Sequence, residues 1–311
     1  MEELVLQAKD GLGLSVAVAE VENPRALVQL IHGAVEHKER YYNFMKYLND
    51  NGFAAIISDN RGHGKSVNKE FPLGYMDGYE QMIEDQMEVT RQIKARYPGK
   101  ELYLFGHSFG SLLARCYLQK HDDEIRKLVL SGTVNYIGAV PVGMAVGRVI
   151  TGITGRHGVN RLLNSMGMNG KDDTWVSANE ENLRAYRKDP LCQYPYANSA
   201  IMTIFESDRS LHQYEKYQCK NPNLPILSVT GIDDPVTGGT KGLEDTVRSL
   251  RRIGYHDITS KVYQGMKHEV LNECDHMTVY RDVADFLKNN SHGAMRRGIA
   301  YSKRKLKGNN L

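Results

Sequence analysis

With 311 residues, 41% of them hydrophobic and 25% charged, and a formal net charge of +3, the chain is globular and long enough to bury a large core, as one extended domain or as a core with an inserted subdomain. No window of the sequence approaches a membrane span. Cys116, Cys192, Cys219 and Cys274 are too scattered for a paired zinc site or a disulfide scaffold, which points to a reducing compartment.

Residues 2 to 8 and 12 to 21 alternate apolar and polar on either side of Asp10-Gly11, the pattern of an antiparallel hairpin at a sheet edge. The opening residues are acidic, unlike the basic, apolar start of a signal peptide, so a cytoplasmic protein is expected. Ala26 to Ile31 and Phe53 to Ser58 are near-continuous apolar runs separated by a helical segment from Arg40 to Asn51, as in parallel strands covered on both faces. Residues 79 to 97 place Met82, Ile83, Met87, Ile93 and Tyr97 on one helical stripe, ended by Pro98-Gly99. A helix there supplies the right-handed crossover into the next strand.

That next strand, from Glu101, runs into Gly106-His107-Ser108-Phe109-Gly110 and then into a helical apolar pattern from Ser111 to Leu118. Gly-x-Ser-x-Gly alone is expected by chance in roughly one chain of this composition in seven. The strand before it and the helix after it strengthen the signal. A strand, sharp turn and helix would hold Ser108 in a strained conformation with its hydroxyl exposed, and only small residues fit two positions to either side.

Ile125 to Leu130 reads as a further strand, after which the rhythm stops. Residues 134 to 222 show no clear parallel strand and are expected to form a helical insertion. The alternation returns with a strand at 225 to 230, a helix near 240 to 253, a strand at 258 to 263 and a helix near 276 to 288. The core is thus expected at 1 to 133 and 223 to 290, as a mostly parallel, doubly wound α/β sheet. Residues 291 to 311 hold Arg296, Arg297, Lys303, Arg304, Lys305 and Lys307 and no acid, so the remainder of the chain has 34 basic against 37 acidic residues. A solvated, disordered tail is the simplest expectation, and weak peripheral contact with an anionic inner-membrane surface is the functional alternative. No aromatic-interleaved basic face points to nucleic acid.

A serine needs a histidine to take its proton and an acid to orient that histidine. In open α/β sheets such groups gather after the carboxyl ends of strands. The strand at 225 to 230 is followed by Asp233 and Asp234, and the strand at 258 to 263 by His268, giving the chain order Ser, Asp, His. Two backbone N–H groups must stabilise an oxyanion. Phe109, just after the serine, supplies one; Ala34, in Ile31-His32-Gly33-Ala34-Val35, is expected to supply the other, with His32 in a structural hydrogen-bonding role.

His32-Gly33-Ala34-Val35-Glu36-His37, Asp59-Asn60-Arg61-Gly62-His63-Gly64-Lys65-Ser66, Gly106-His107-Ser108-Phe109-Gly110, Gly231-Ile232-Asp233-Asp234-Pro235-Val236 and His268-Glu269-Val270-Leu271-Asn272-Glu273 together resemble the bacterial monoacylglycerol lipase and lysophospholipase family of α/β-hydrolases. The likeness spans residues about 25 to 288 and includes Asp189-Pro190-Leu191-Cys192 in the insertion. It implies an α/β-hydrolase fold, Ser108 as nucleophile, Asp234 rather than Asp233 as acid, His268 as base, and a helical cap over an acyl-chain pocket. One departure is Phe109, where many relatives have Met followed by two glycines; Ser111 stands in place of the second.

The expected chemistry is hydrolysis of a carboxylic ester through an acyl-enzyme, with no metal or organic cofactor. Single-chain lipids, monoacylglycerol or lysophospholipid, rank first as substrate, short-chain esters second and peptide amides third, while a non-catalytic ligand receptor is the rival of another class. A phosphate loop is unsupported because Asp59 stands where its first glycine belongs, and a zinc helix because Asn272 follows His268 at the second ligand position. A carboxylate-nucleophile hydrolase is disfavoured by Ser108. Tyr136, Ile137, Val140 and Met144 are the expected pocket residues, with Val142 and Val149 adding apolar area. Gly138, Gly143 and Gly147 suggest a mobile lid there rather than a rigid helix.

Overall fold

The computed structural model describes residues 1–168 and 172–289, and the backbone of 298–301. Its centre is one sheet. Strands β1 (Glu2–Gln7) and β2 (Gly13–Ala19) form the expected antiparallel hairpin, and β2 runs antiparallel to β4 (Phe53–Ser58). From there the sheet is parallel through β3 (Ala26–Ile31), β5 (Leu102–His107), β6 (Lys127–Ser131), β7 (Ile226–Gly231) and β8 (Ile258–Tyr263), and ends on β9 (Gly298–Tyr301). The order among the described residues is β1-β2-β4-β3-β5-β6-β7-β8-β9.

The apolar runs are continuous because both faces of the sheet are covered, and the pleat divides them by alternate residues. Leu27, Ile31, Leu102, Leu104, Leu128 and Leu130 face the layer of α2 (Tyr79–Arg96) and α3 (Phe109–His121). Val28, Leu30, Tyr103, Phe105 and Val129 face α1 (Tyr42–Asp50) and α9 (His276–Lys288). Helix α8 (Gly239–Ile253) completes the crossover from β7 to β8. Among the described residues no helix is long and apolar enough to cross a membrane.

Between β6 and β7 lie α4 (Val140–Thr154), α5 (Arg161–Gly167), α6 (Glu180–Lys188) and α7 (Asn198–Ser210). The glycines of this region do not break the helix: α4 runs continuously through Gly143 and Gly147. Their role is close packing. A Cβ at Gly143 would stand 3.1 Å from the Phe205 ring, and one at Gly147 would stand 2.4 Å from Met202 Sδ, both on α7. The expectation from helix propensity thus gives way to tertiary contact, since the intrinsic cost of glycine is only about 1 kcal/mol. The same packing buries Val140 and Met144, while Val142 and Val149 point outward at 65% and 63% exposure.

The tail also departs from expectation at 298–301, where the backbone adds a parallel strand to β8. The free edge of β8 offers unpaired N–H and C=O groups, and Gly-Ile-Ala-Tyr is the one uncharged apolar stretch within the basic run. The six basic residues lie outside the described residues.

One buried ion cluster ties the loop after β4 to the sheet. Arg61, 1% exposed, forms a bidentate pair with Asp85 at 2.7 and 2.8 Å and reaches Asp10 in the β1–β2 turn at 2.7 Å. Removing one partner of a buried pair leaves an uncompensated charge. Arg61→Ala is therefore expected to lower unfolding stability by about 3–5 kcal/mol, read by urea denaturation, whereas Lys46→Ala, which breaks an exposed pair with Asp50, should change it by less than about 1 kcal/mol.

Candidate active site

Ser108 occupies the turn between β5 and α3 with φ 52° and ψ −122°, a backbone conformation that L-residues rarely adopt. Its amide donates to Ser131 O at 2.9 Å and its carbonyl accepts from Ser111 N at 2.7 Å. The flanking glycines are required by backbone contact. A Cβ on Gly106 would come 2.3 Å from Gly110 O, and one on Gly110 would come 2.1 Å from Ile31 O.

The loop after β3 is held on each side of Ala34. Gly33 N donates to Glu36 Oε1 at 2.5 Å, and Val35 N donates to Tyr196 Oη at 2.9 Å. Val35 itself has φ 51°, a conformation costly for a β-branched residue. The amides of Ala34 and Phe109 donate to no acceptor among the described residues, and both residues line the cavity that contains Ser108. His32 is buried, accepts Asn60 N at Nε2 (2.8 Å) and meets Gly33 O with Nδ1 (2.8 Å), so it braces the loop. Burial holds its pKa well below that of a free imidazole.

His268 follows β8, and its Nδ1 lies 2.9 Å from Asp234 Oδ2. Asp234, 3% exposed, is fixed by Thr230 Oγ1 at 3.1 Å and by Val236 N at 2.8 Å, while Asp233 is exposed. Burial works against the charged imidazolium, but the charge and hydrogen bond of Asp234 outweigh it, so the pKa of His268 is raised. Its Nε2 is buried and has no hydrogen-bond partner among the described residues, in the cavity lined by Ser108. Gly132 makes room for the ring: at φ 50°, a Cβ there would stand 2.9 Å from Cε1 of both His107 and His268.

A buried charge cluster links the two loops. Glu36 Oε1 also accepts Tyr41 Oη at 2.8 Å, and Arg40 spans from Glu36 Oε2 at 3.7 Å to Glu269 Oε2 at 2.5 Å. Asn182 of α6 adds a bond to Glu269 at 2.7 Å. Burial, reinforced by the charge of Glu269, raises the pKa of Glu36 against the pull of Arg40. His37, Asp189 and Cys192 lie close enough together to share a metal ion, but His37 Nε2 is bonded to Asp189 at 2.7 Å and Cys192 Sγ sits 3.6 Å from the Arg40 guanidinium, a fixed cation unfavourable to a second one.

The cavity over Ser108 has a volume of about 250 Å³. Glu36, Tyr186 and Glu269 line it, Trp175 lies with its ring 5.0 Å from that of His268, and Ile137, Val140, Ile204 and Phe205 form an apolar wall. Of the four expected pocket residues, Ile137 and Val140 are in that wall. Tyr136 instead stacks on His212 at 3.6 Å, and Met144 is in the core, because α4 turns it toward α7. Gly132, Arg40, Glu269 and a buried Asp208 in the same cavity escape the sequence reading. Glu269 lies within a quoted motif and Arg40 three residues beyond another, and for Asp208 no sequence signal exists.

A mostly parallel sheet with a strained serine turn after β5, an acid after β7 and a histidine after β8 defines an α/β-hydrolase. The chain belongs to the family described as serine aminopeptidase S33, which matches residues 22–275. It is 28% identical over 269 residues to a monoacylglycerol lipase of Mycolicibacterium smegmatis, covering 85% of this chain and 89% of the relative. Among solved structures it resembles a thermostable carboxyl esterase from Bacillus coagulans in complex with glycerol (25% identity, TM-score 0.82, 92% and 97% of the two chains). An open-form lipase at 23% identity shares the fold with a TM-score of 0.83 over 92% and 97%.

The electrostatics give a direct check. By NMR titration the His268 imidazole should lose its proton above the free value of ~6.5. In Asp234→Asn the largest raising charge is gone while burial and the weaker pull of Glu269 and Glu36 remain, so the titration should move down from its wild-type position.

Proposed function

We propose that the protein is a serine hydrolase that cleaves carboxylic esters of single-chain lipids, a monoacylglycerol or a lysophospholipid, through an acyl-enzyme. The observation that carries this reading is the Asp234–His268 pair at 2.9 Å with Nε2 unpaired in the cavity of a strained Ser108, beneath an apolar wall. The similarity to the mycobacterial monoacylglycerol lipase supports the substrate class.

In this mechanism His268 Nε2 takes the proton of Ser108 as Oγ attacks the ester carbonyl. The new oxyanion accepts from the amides of Ala34 and Phe109, and the positive end of α3 favours the charge. Collapse expels the alcohol, protonated by His268. Water, deprotonated by the same nitrogen, then attacks the acyl-serine and releases the acid and free Ser108. Asp234 keeps Nδ1 protonated and steadies the imidazolium.

In this reading residues 134–222 are the cap, placing Ile137, Val140, Ile204 and Phe205 against the acyl chain. The polar wall of Glu36, Tyr186 and Glu269 then takes the alcohol. The basic tail draws a cytoplasmic enzyme weakly to anionic membrane surfaces where such lipids reside. A general short-chain esterase is the second reading, favoured by the likeness to the carboxyl esterase.

The test is hydrolysis of 1-dodecanoylglycerol, the matching lysophosphatidylcholine and a butyrate ester by wild type and Ser108→Ala. A long-chain preference, with the Ser108→Ala rate lower by a factor of about 10⁴ or more, is expected. Preference for butyrate would establish the short-chain reading. Ser108-independent turnover would exclude the mechanism.

A further inference from the structure

The cavity carries a charged group that hydrolysis of a plain acyl chain does not use. Asp208 lies on α7, one turn beyond Ile204 and Phe205, and shares the apolar wall with them and with Ile137 and Val140. It is 2% exposed. Its Oδ1 accepts Ile137 N at 3.1 Å, and its Oδ2 is buried with no hydrogen-bond partner among the described residues. A carboxyl oxygen left unpaired in an apolar wall is costly, and a saturated acyl chain would only deepen that cost by expelling water.

The nearby charges narrow what could satisfy it. Arg115 is buried and donates from Nε to the carbonyl of Ser111 and from Nη2 to that of Val134; among the described residues it forms no ion pair with Asp208, yet its positive charge acts on the acid and disfavours a second cation there. Asp245 adds a repelling negative charge. Burial, opposed by the bond from Ile137, pushes the acid up to about 7, so both its protonation states are accessible near neutrality. A hydroxyl suits both states, because it donates to the carboxylate and accepts from the carboxylic acid. An ammonium group can only donate, and would add charge facing Arg115.

We propose that Asp208 is a specificity-determining residue that binds a hydroxyl group on the acyl chain, making esters of hydroxy fatty acids the preferred substrates. This rests on the ester-hydrolase reading above. The hydroxyl belongs to the acyl part because Asp208 stands in the apolar wall, apart from the polar wall of Glu36, Tyr186 and Glu269.

The experiment compares kcat/KM for 1-dodecanoylglycerol and for a series of 1-(hydroxydodecanoyl)glycerols with the hydroxyl at successive chain positions, in wild type, Asp208→Leu and Ser108→Ala. Wild type should favour at least one hydroxylated position over the plain chain by about 10-fold or more, the scale set by one buried hydrogen bond. Asp208→Leu should cut that preference, taken as the ratio of hydroxylated to plain ester within the variant, to within about twofold. A wild type that favours no position overturns the proposal, and that result stands even where Asp208→Leu does not fold. A preference that survives intact in folded Asp208→Leu overturns it as well. Absence of Ser108-dependent turnover of any of these esters would instead remove the hydrolase reading on which it rests.

Discussion

The structure depends on one close approach of backbone to backbone, where Gly110 at the start of α3 passes against the end of β3. A Cβ on Gly110 would stand 2.1 Å from Ile31 O, and one on Gly106 would meet Gly110 O at 2.3 Å. Because β3 and β5 are parallel neighbours with Ile31 opposite Gly106, the loop after β3 is brought beside the serine turn. The amides of Ala34 and Phe109 thus come to one cavity by sheet register. The strain at Ser108 is held by this contact and by the bond from its amide to Ser131 on β6.

The remaining groups are delivered by the same sheet edge. Asp234 follows β7 and His268 follows β8, so the acid and the base are positioned by adjacent strands. Behind them Arg40 bridges Glu36, which holds Gly33, to Glu269, the residue after His268. Two carboxylates around one guanidinium leave net negative charge in a buried place, and the raised pKa of Glu36 is the expected response. The oxyanion loop and the histidine loop are in this way one electrostatic unit, completed by Asn182 from α6.

Much of this is legible in the sequence, for physical reasons that differ by element. The strands Ala26–Ile31 and Phe53–Ser58 coincide with near-continuous apolar runs because both of their faces are buried, and Ile258–Tyr263 matches the strand read at 258 to 263 although it holds Thr259, Ser260 and Lys261. The strand read at 125–130 is found at Lys127–Ser131; Ile125 is apolar but serves the turn before it. The order Ser, Asp, His could be read because each residue sits just past a recognisable strand. The helix α4 could not, since glycine spacing alone does not reveal that Phe205 and Met202 will fill the space beside it. Which apolar residues of the insertion face the cavity depends on the rotation of α4 and on the path of the segment before it, so Ile137 and Val140 are separable from Tyr136 and Met144 only in three dimensions. Asp208 gives no warning, being one of two acids on α7, and Gly298–Tyr301 pairs with β8 through an edge that its own sequence does not announce.

The central claim is that the strained serine is the nucleophile that the assembled site activates. Treatment of the intact protein with a fluorophosphonate, followed by mass spectrometry of the proteolysed chain, tests it most directly. The account predicts one covalent adduct, on Ser108, formed slowly or not at all when His268 is replaced by alanine. An unmodified Ser108, or an adduct confined to another residue, would contradict it.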